Sequence, residues 1–230
     1  MSKKRRVPNL LALAVLSCVA ERPMHPYEMS TTLRTRGKEQ SIKLNFGSLY
    51  SVVDALARHG LVEATGTARE GRRPERTVYA ITAAGRAELE DWLADLVSTP
   101  RKEYTSLEAA LSLIAGLAPD EAARLLRSRA TLLRMSLGSV DAGLELTGRM
   151  GLPELFVVEE QYRRALMEAE LAFVTSLADR IERDELGGSR WWRRVHELQE
   201  QGVTLEEISR DPVSHLGEEA AEIAPFLSQG

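Results

Sequence analysis

HPYEMSTTLRTRGKEQSIKLNFGSLYSVVDALARHG, residues 25–60, is the stretch on which the fold turns. His25-Pro26-Tyr27 opens a helix that runs through Met29 and Leu33 to about Arg36, and Gly37 suits its C-terminal cap. Asn45, a strong N-cap type, opens the next helix. Phe46, Leu49, Val53 and Leu56 fall at i, i+3, i+7 and i+10, one apolar helical face that ends before Gly60. The same spacing leaves Gly47, Ser48, Ser51, Asp54 and Arg58 pointing outward. Two helices joined by the short link 38–44 match a helix-turn-helix.

The flanking segments complete a larger unit. Pro8 is placed to start a helix that runs to about Ala20, apolar on more than one side and therefore expected to be buried. Leu61–Thr67 and Arg76–Ile81 read as strands around a polar turn that contains Gly71 and Pro74. Thr82 caps a fourth helix with Leu89, Trp92, Leu93 and Leu96 on one face, and Thr99-Pro100 breaks it. Three helices followed by a two-stranded hairpin is the order of a winged helix.

Beyond that point the pattern is helical. Leu107, Leu111 and Ile114 mark a short helix, and Pro119-Asp120-Glu121 begins a long one through Leu125, Leu132, Val140 and Leu144. After a break at 148–153, a second long helix carries Leu155, Tyr162, Leu166, Ala169, Phe173, Leu177 and Ile181 on one stripe. So thin a domain leaves apolar surface to spare, which implies a partner chain. Gly187-Gly188-Ser189 reads as a hinge before a helix carrying Trp191 and Trp192. Thr204-Leu205-Glu206-Glu207 matches a capping box, and the acidic end of the chain is expected to be mobile. The expected architecture is mainly α: a winged helix-turn-helix domain (1–97), an all-helical dimerisation domain (98–186) and a helical, partly mobile extension (187–230).

The chemistry concentrates in the first domain. In a helix-turn-helix the second helix of the pair enters the major groove, with its N-terminal residues at the base edges. Gly47, Ser48 and Ser51 are small enough to allow close approach, and serine hydroxyls bond bases or phosphates with little discrimination. Tyr50 either offers its hydroxyl to a phosphate at the groove wall or is half-buried. Lys43 and Asn45 stand at the helix entrance, and Tyr27 joins the candidate DNA contacts. Arg69, Arg72, Arg73 and Arg76 crowd the wing tip, where guanidinium groups pair with phosphates or enter a narrow minor groove. Lys3–Arg6 form a basic arm that can add phosphate contacts or serve as a solubilising tail.

Charge distribution agrees with that placement. The net charge is −4, yet residues 1–86 hold 15 Lys/Arg against 7 Asp/Glu and residues 87–230 hold 15 against 27. Such asymmetry marks a nucleic-acid-binding segment joined to something else. The apolar share of 43% excludes wholesale disorder, while only 5% aromatic residues favours helices over sheets. The single cysteine, Cys18, forbids an internal disulfide and points to a reducing compartment; in its apolar run it reads as a buried, inert thiol. The basic residues before the apolar run 10–20 mimic a secretory signal, but that run is too short to span a bilayer and no A-x-A site follows. A cytoplasmic protein without membrane segments is expected. His25, His59, His196 and His215 have no metal-ligand spacing, and no catalytic or phosphate-binding motif occurs, so neither an enzyme nor a cofactor is expected.

Several spaced motifs carry a family resemblance. His25-Pro26-Tyr27-Glu28-Met29, Phe46-Gly47-Ser48-Leu49-Tyr50 with Leu56, Gly60, Leu61 and Val62, Arg72-Arg73-Pro74, and Val78-Tyr79-Ala80-Ile81-Thr82 with Gly85 resemble the PadR family of transcription regulators over about residues 8–97. Pro26 stands where that family usually has Gly, which should stiffen the start of the second helix. More loosely, residues 104–181, with Glu168-Ala169-Glu170-Leu171, are similar to its C-terminal dimerisation domain. The resemblance implies a homodimer, usually a repressor, on an inverted-repeat operator in double-stranded DNA, released by a small and often aromatic effector. Trp92, Trp191 and Trp192 are candidate effector contacts, with packing in the core as the competing role. The rival function is a winged helix that binds protein and not DNA.

Overall fold

The apolar run after Pro8 forms α1 (Leu10–Glu21) in a computed structural model that describes residues 5–43, 45–68 and 76–217. Asn9, not Pro8, sets the start: its side chain accepts the Leu11 N–H at 2.9 Å, which leaves Pro8 outside the helix. Leu11, Leu13, Val15, Leu16, Cys18 and Val19 are all buried, so α1 is covered on most of its surface, with Leu10, Ser17 and Glu21 on the one face left exposed. Burial pushes the Cys18 thiol up to about 11, which keeps it protonated and unreactive.

Around α1 pack the other elements of the first of two compact units, Met1–Glu103. Helix α2 (Pro26–Thr35) ends at Gly37, whose φ of 67° is the left-handed conformation glycine adopts freely. A 3-10 turn at Lys38–Gln40 leads to α3 (Phe46–Arg58), whose Leu49, Val52, Val53 and Leu56 are buried. Strands β1 (Val62–Ala68) and β2 (Arg76–Ile81) pair antiparallel, with Val62 opposite Ile81 and a register shift between Ala64 and Gly66. Met24 adds an edge that periodicity gave no hint of: its N–H and C=O each bond Tyr79, both at 3.0 Å.

Helix α4 (Ala83–Ser98) is joined closely to the hairpin. Thr82 Oγ1 accepts the Gly85 N–H at 3.0 Å and donates to the Gly60 carbonyl at 2.7 Å. Leu89 and Trp92 are buried and Leu96 is partly so, but Leu93, expected on the same face, is exposed because it lies one position round from that stripe. Arg5 is the other departure. It is folded against α4, hydrogen-bonded to Glu88 and Asp91 and paired with Asp95 at 3.5 Å, with its guanidinium 5.7 Å from the Trp92 ring centroid. Burial opposes its charge, yet the bonds to Asp91 and Glu88 win and its pKa is raised. Arg5 is therefore not an outstretched phosphate ligand; Lys3 and Lys4 lie outside the described residues.

The second unit, Tyr104–Gly230, is built on two long helices. Helix α5 (Ser106–Ser112), capped by Thr105, and a 3-10 turn at Ile114–Gly116 precede α6 (Pro119–Arg149). A turn through Gly151 and a 3-10 segment at Glu154–Phe156 lead to α7 (Val158–Glu182). Arg127 binds Asp179 and Glu182 while Arg164 binds Asp141, so α6 and α7 run antiparallel. Their seam is made of Ala122, Ala123, Leu126 and Ala130 against Val174, Ala178 and Ile181. Most of the larger apolar residues of the two stripes stay outside that seam, the surplus of apolar surface that the sequence leads one to expect. Leu132 is 64% exposed, Tyr162 67% and Phe173 53%, and Leu125, Leu155 and Leu166 are also exposed. Alanines allow the closer helix approach, so the small-residue faces meet and the bulky ones remain outside.

Three further helices close the unit: α8 (Ser189–Glu200), α9 (Leu205–Arg210) and α10 (Pro212–Leu216). Trp192 is buried and donates its indole N–H to the Leu117 carbonyl at 2.7 Å, and to Ala115 O at 3.2 Å. Val195, Leu198, Ile208 and Leu216 form a small core of their own. The expected capping box is present: Thr204 N–H reaches Glu207 Oε2 at 2.8 Å and Glu207 N–H reaches Thr204 Oγ1 at 3.2 Å. The acidic end, 218–230, lies outside the described residues. No helix among the described residues is long and apolar enough to cross a membrane.

Candidate nucleic-acid interface

Asn45 initiates α3 by accepting the Gly47 N–H on its side-chain oxygen at 3.0 Å. That fixes the first turn and leaves the amide nitrogen of Asn45, an exposed residue, available for an outside acceptor. Lys43 is exposed just before it. Gly47, Tyr50, Ser51, Asp54 and Arg58 are exposed on α3, while Ser48 is half-buried at the edge of that face. A Cβ on Gly47 would meet only Asn45 Oδ1, at 3.5 Å, so nothing inside the chain demands a glycine there. Its smallness opens room outward. Ser51 donates its hydroxyl proton to Ser48 O at 2.9 Å, so in this rotamer its oxygen can act toward solvent only as an acceptor.

Two phenols flank this face. Tyr50 is 48% exposed and Tyr27, on the first turn of α2, is 57% exposed. Tyr50 is thus about half-covered, a position compatible with both readings of it, a half-buried ring and a phosphate ligand. The His25 ring meets Tyr50 edge to face, with centroids 6.4 Å apart and planes at 69°. His25 also caps α2 by accepting the Tyr27 N–H on Nδ1 at 3.1 Å. Sequence reasoning passed over His25 because histidine is not among the strong N-cap types. Two neighbouring arginines are engaged with carboxylates: Arg36 grips Glu21 through both terminal nitrogens, and Arg22 pairs with Glu28. The hydrogen bond from Arg36 holds the Glu21 carboxyl below its ordinary range.

The described part of the wing is its two strands, β1 and β2. Arg69, Arg72, Arg73 and the side chain of Arg76 lie outside the described residues. Trp92, proposed above as an effector contact, is a core residue at 3% exposure, with Arg5 over its ring. Trp192 is likewise buried and bonded to two carbonyls, and Trp191 packs against both cores of the second unit. Among the described residues no group of three or more His, Cys, Asp or Glu is placed to hold a metal ion.

Comparison with known proteins was informative at the level of family and fold. Residues 15–91 match the model of the transcriptional regulator PadR-like family. No curated protein matches the sequence. Among solved structures, Bacillus subtilis PadR in complex with operator DNA is 18% identical with a TM-score of 0.53, covering 72% of this chain and 99% of that one. The same regulator in complex with p-coumaric acid is 16% identical, with a TM-score of 0.51 and 72% and 99% coverage. The Vibrio cholerae virulence activator AphA is 14% identical, with a TM-score of 0.52 and 75% and 98% coverage. Those likenesses establish the fold. The segment that matches the PadR-like family model takes in α2, α3 and the hairpin, the winged-helix part of the chain.

Proposed function

We propose that this protein is a homodimeric, sequence-specific DNA-binding transcription regulator, with residues 1–97 reading DNA, 98–186 forming the dimer and 187–230 extending the second unit. One observation carries the reading: the exposed face of α3 joins Lys43, Asn45, Gly47, Tyr50, Ser51 and Arg58, a set suited to a duplex and not needed by the core. Lysine, arginine and tyrosine supply phosphate donors, while asparagine and serine address base edges. Arg69, Arg72, Arg73 and Arg76 of the wing add phosphate or minor-groove contacts in this reading. Cytoplasmic location follows from the function.

Dimerisation is supported by the bulky faces left uncovered in the single chain, Leu125, Leu132 and Met135 on α6 and Tyr162, Leu166 and Phe173 on α7. A two-fold dimer addresses an inverted repeat with half-sites spaced by about 34 Å, one helical turn. Repression relieved by a small aromatic effector is the regulatory mode proposed, in line with the p-coumaric acid complex of the Bacillus regulator. An effector that changes the distance between the two α3 helices spoils the fit to both half-sites at once.

The test is in vitro selection of duplexes by the full chain, followed by titration of the enriched duplex at several salt concentrations. Retention competed only by that sequence, with log affinity falling linearly in log salt, supports the reading. Failure to enrich any sequence refutes it. Leu132→Glu with Phe173→Glu should yield a monomer by light scattering; an unchanged mass refutes the dimer.

A further inference from the structure

We propose that His25 is a positioning residue for DNA recognition: it holds the Tyr50 ring in its reading orientation and ties α3, α2 and the wing into one frame. The inference rests on the DNA-binding reading above and adds a residue and a mechanism to it.

The argument starts from how firmly His25 is held. Its predecessor Met24 is bonded to Tyr79 of β2 through both N–H and C=O, each at 3.0 Å, so residue 24 belongs to the hairpin. Its successor is Pro26, whose ring restricts φ at the first position of α2. His25 O accepts the Met29 N–H at 3.0 Å, the first bond of α2. Its Nδ1 accepts the Tyr27 N–H at 3.1 Å, which leaves the ring proton on Nε2. Both the backbone and the imidazole are thereby fixed, and the ring edge that meets Tyr50 has a defined place.

What that contact does follows from the exposure of Tyr50. A half-exposed tyrosine on a helix has two common χ1 wells, and the one occupied places the ring against His25. Choosing that well before the duplex arrives removes an ordering cost from binding. Tyr27 gains too, because the same imidazole caps its backbone. One side chain thus meets the phenol of α3 and caps the backbone that carries the phenol of α2, and the Met24–Tyr79 pairing relates both to the hairpin.

Three variants in the full chain separate the roles, using a fluorescein-labelled duplex obtained by in vitro selection with the wild type. His25→Asn keeps an N-cap acceptor and loses the ring. It should retain the wild-type melting temperature and bind about 3- to 10-fold more weakly, the span expected for losing one edge-to-face aromatic pair. Its salt slope should be unchanged, since no phosphate ligand is removed. His25→Phe keeps a ring and loses the cap, so it should melt lower while binding within about twofold of wild type when folded. In a Tyr50→Ala background, His25→Asn should have no further effect on affinity. Wild-type affinity in His25→Asn, or an equal loss in the Tyr50→Ala background, overturns the proposal alone. A wild type that enriches no duplex overturns the DNA reading and this inference with it.

Discussion

Replacing Gly85 with alanine should loosen the whole amino-terminal unit. An alanine Cβ at that position would lie 1.9 Å from the Leu61 carbonyl oxygen and 2.9 Å from Ile81 Cγ1, where contacts under 3.0 Å are essentially never observed. The obstacle is backbone, so relief requires α4 to retreat by about 1 Å. That movement stretches three linked bonds: Thr82 N–H to Leu61 O at 3.2 Å, Gly85 N–H to Thr82 Oγ1 at 3.0 Å, and Thr82 Oγ1 to Gly60 O at 2.7 Å. Overpacking costs about 1–3 kcal/mol and a weakened cap about 1 kcal/mol. Against this, alanine is favoured over glycine in a helix by about 1 kcal/mol. The net expectation is about 2 kcal/mol, or a fall in melting temperature of about 8–16 °C for a unit of this size. Calorimetry of the full chain reads it, with Gly138→Ala as control, since a Cβ there meets nothing within 4 Å. The control should be neutral or slightly stabilising. A Gly85→Ala protein as stable as the control would refute the close-approach reasoning.

Other outcomes follow from contacts already described. Trp192→Phe should destabilise the second unit by about 1 kcal/mol, because the Leu117 carbonyl loses its indole donor while Ala115 O keeps His196 Nε2 at 2.9 Å; denaturant unfolding measures it. Arg5→Met should cost the first unit about 1–3 kcal/mol by removing the buried cation that Glu88 and Asp91 share with Asp95, which keeps Arg101. Added salt should recover part of that loss, and equal damage at all salt concentrations would show that packing, not charge, is lost. Glu207 is held below its ordinary carboxylate range by the backbone and hydroxyl of Thr204. Its cap is therefore fully effective above the ordinary value and is lost as pH falls through the lowered one. Amide exchange at Ile208, bonded to Thr204 O at 3.1 Å, should quicken only in acid, and Glu207→Gln should abolish that acid limb.

The elements of the first unit were largely legible because each carries a local signal. Asn45 and Thr82 cap, Gly37 and Gly60 terminate, and the spacing of Leu49, Val53 and Leu56 gives a face directly. The candidate recognition face came with that spacing, as the complement of the buried one. What escaped were interactions between residues distant in sequence. Met24 joins Tyr79 through backbone atoms alone, so no side-chain pattern announces it. Arg5 looked like part of a solvated basic arm, since its carboxylate partners lie 83 and 86 positions away. In the second unit, the spacing of Tyr162, Leu166, Phe173 and Ile181 gives a stripe and a surplus of apolar surface, but not the residues that fill the seam, because Ala122, Ala123, Ala130 and Ala178 carry almost no periodic signal.

The anchoring of Trp192 on carbonyls 75 and 77 residues earlier has a bearing on biosynthesis. Translation proceeds from the amino terminus at about 5–20 residues per second. The winged-helix module has all its partners once α4 has emerged from the ribosome. The beginning of α6, by contrast, must wait several seconds for α8 to be made before its neighbouring carbonyls are covered. A nascent chain would thus complete its winged-helix unit first, while the unit bearing the uncovered apolar faces matures later.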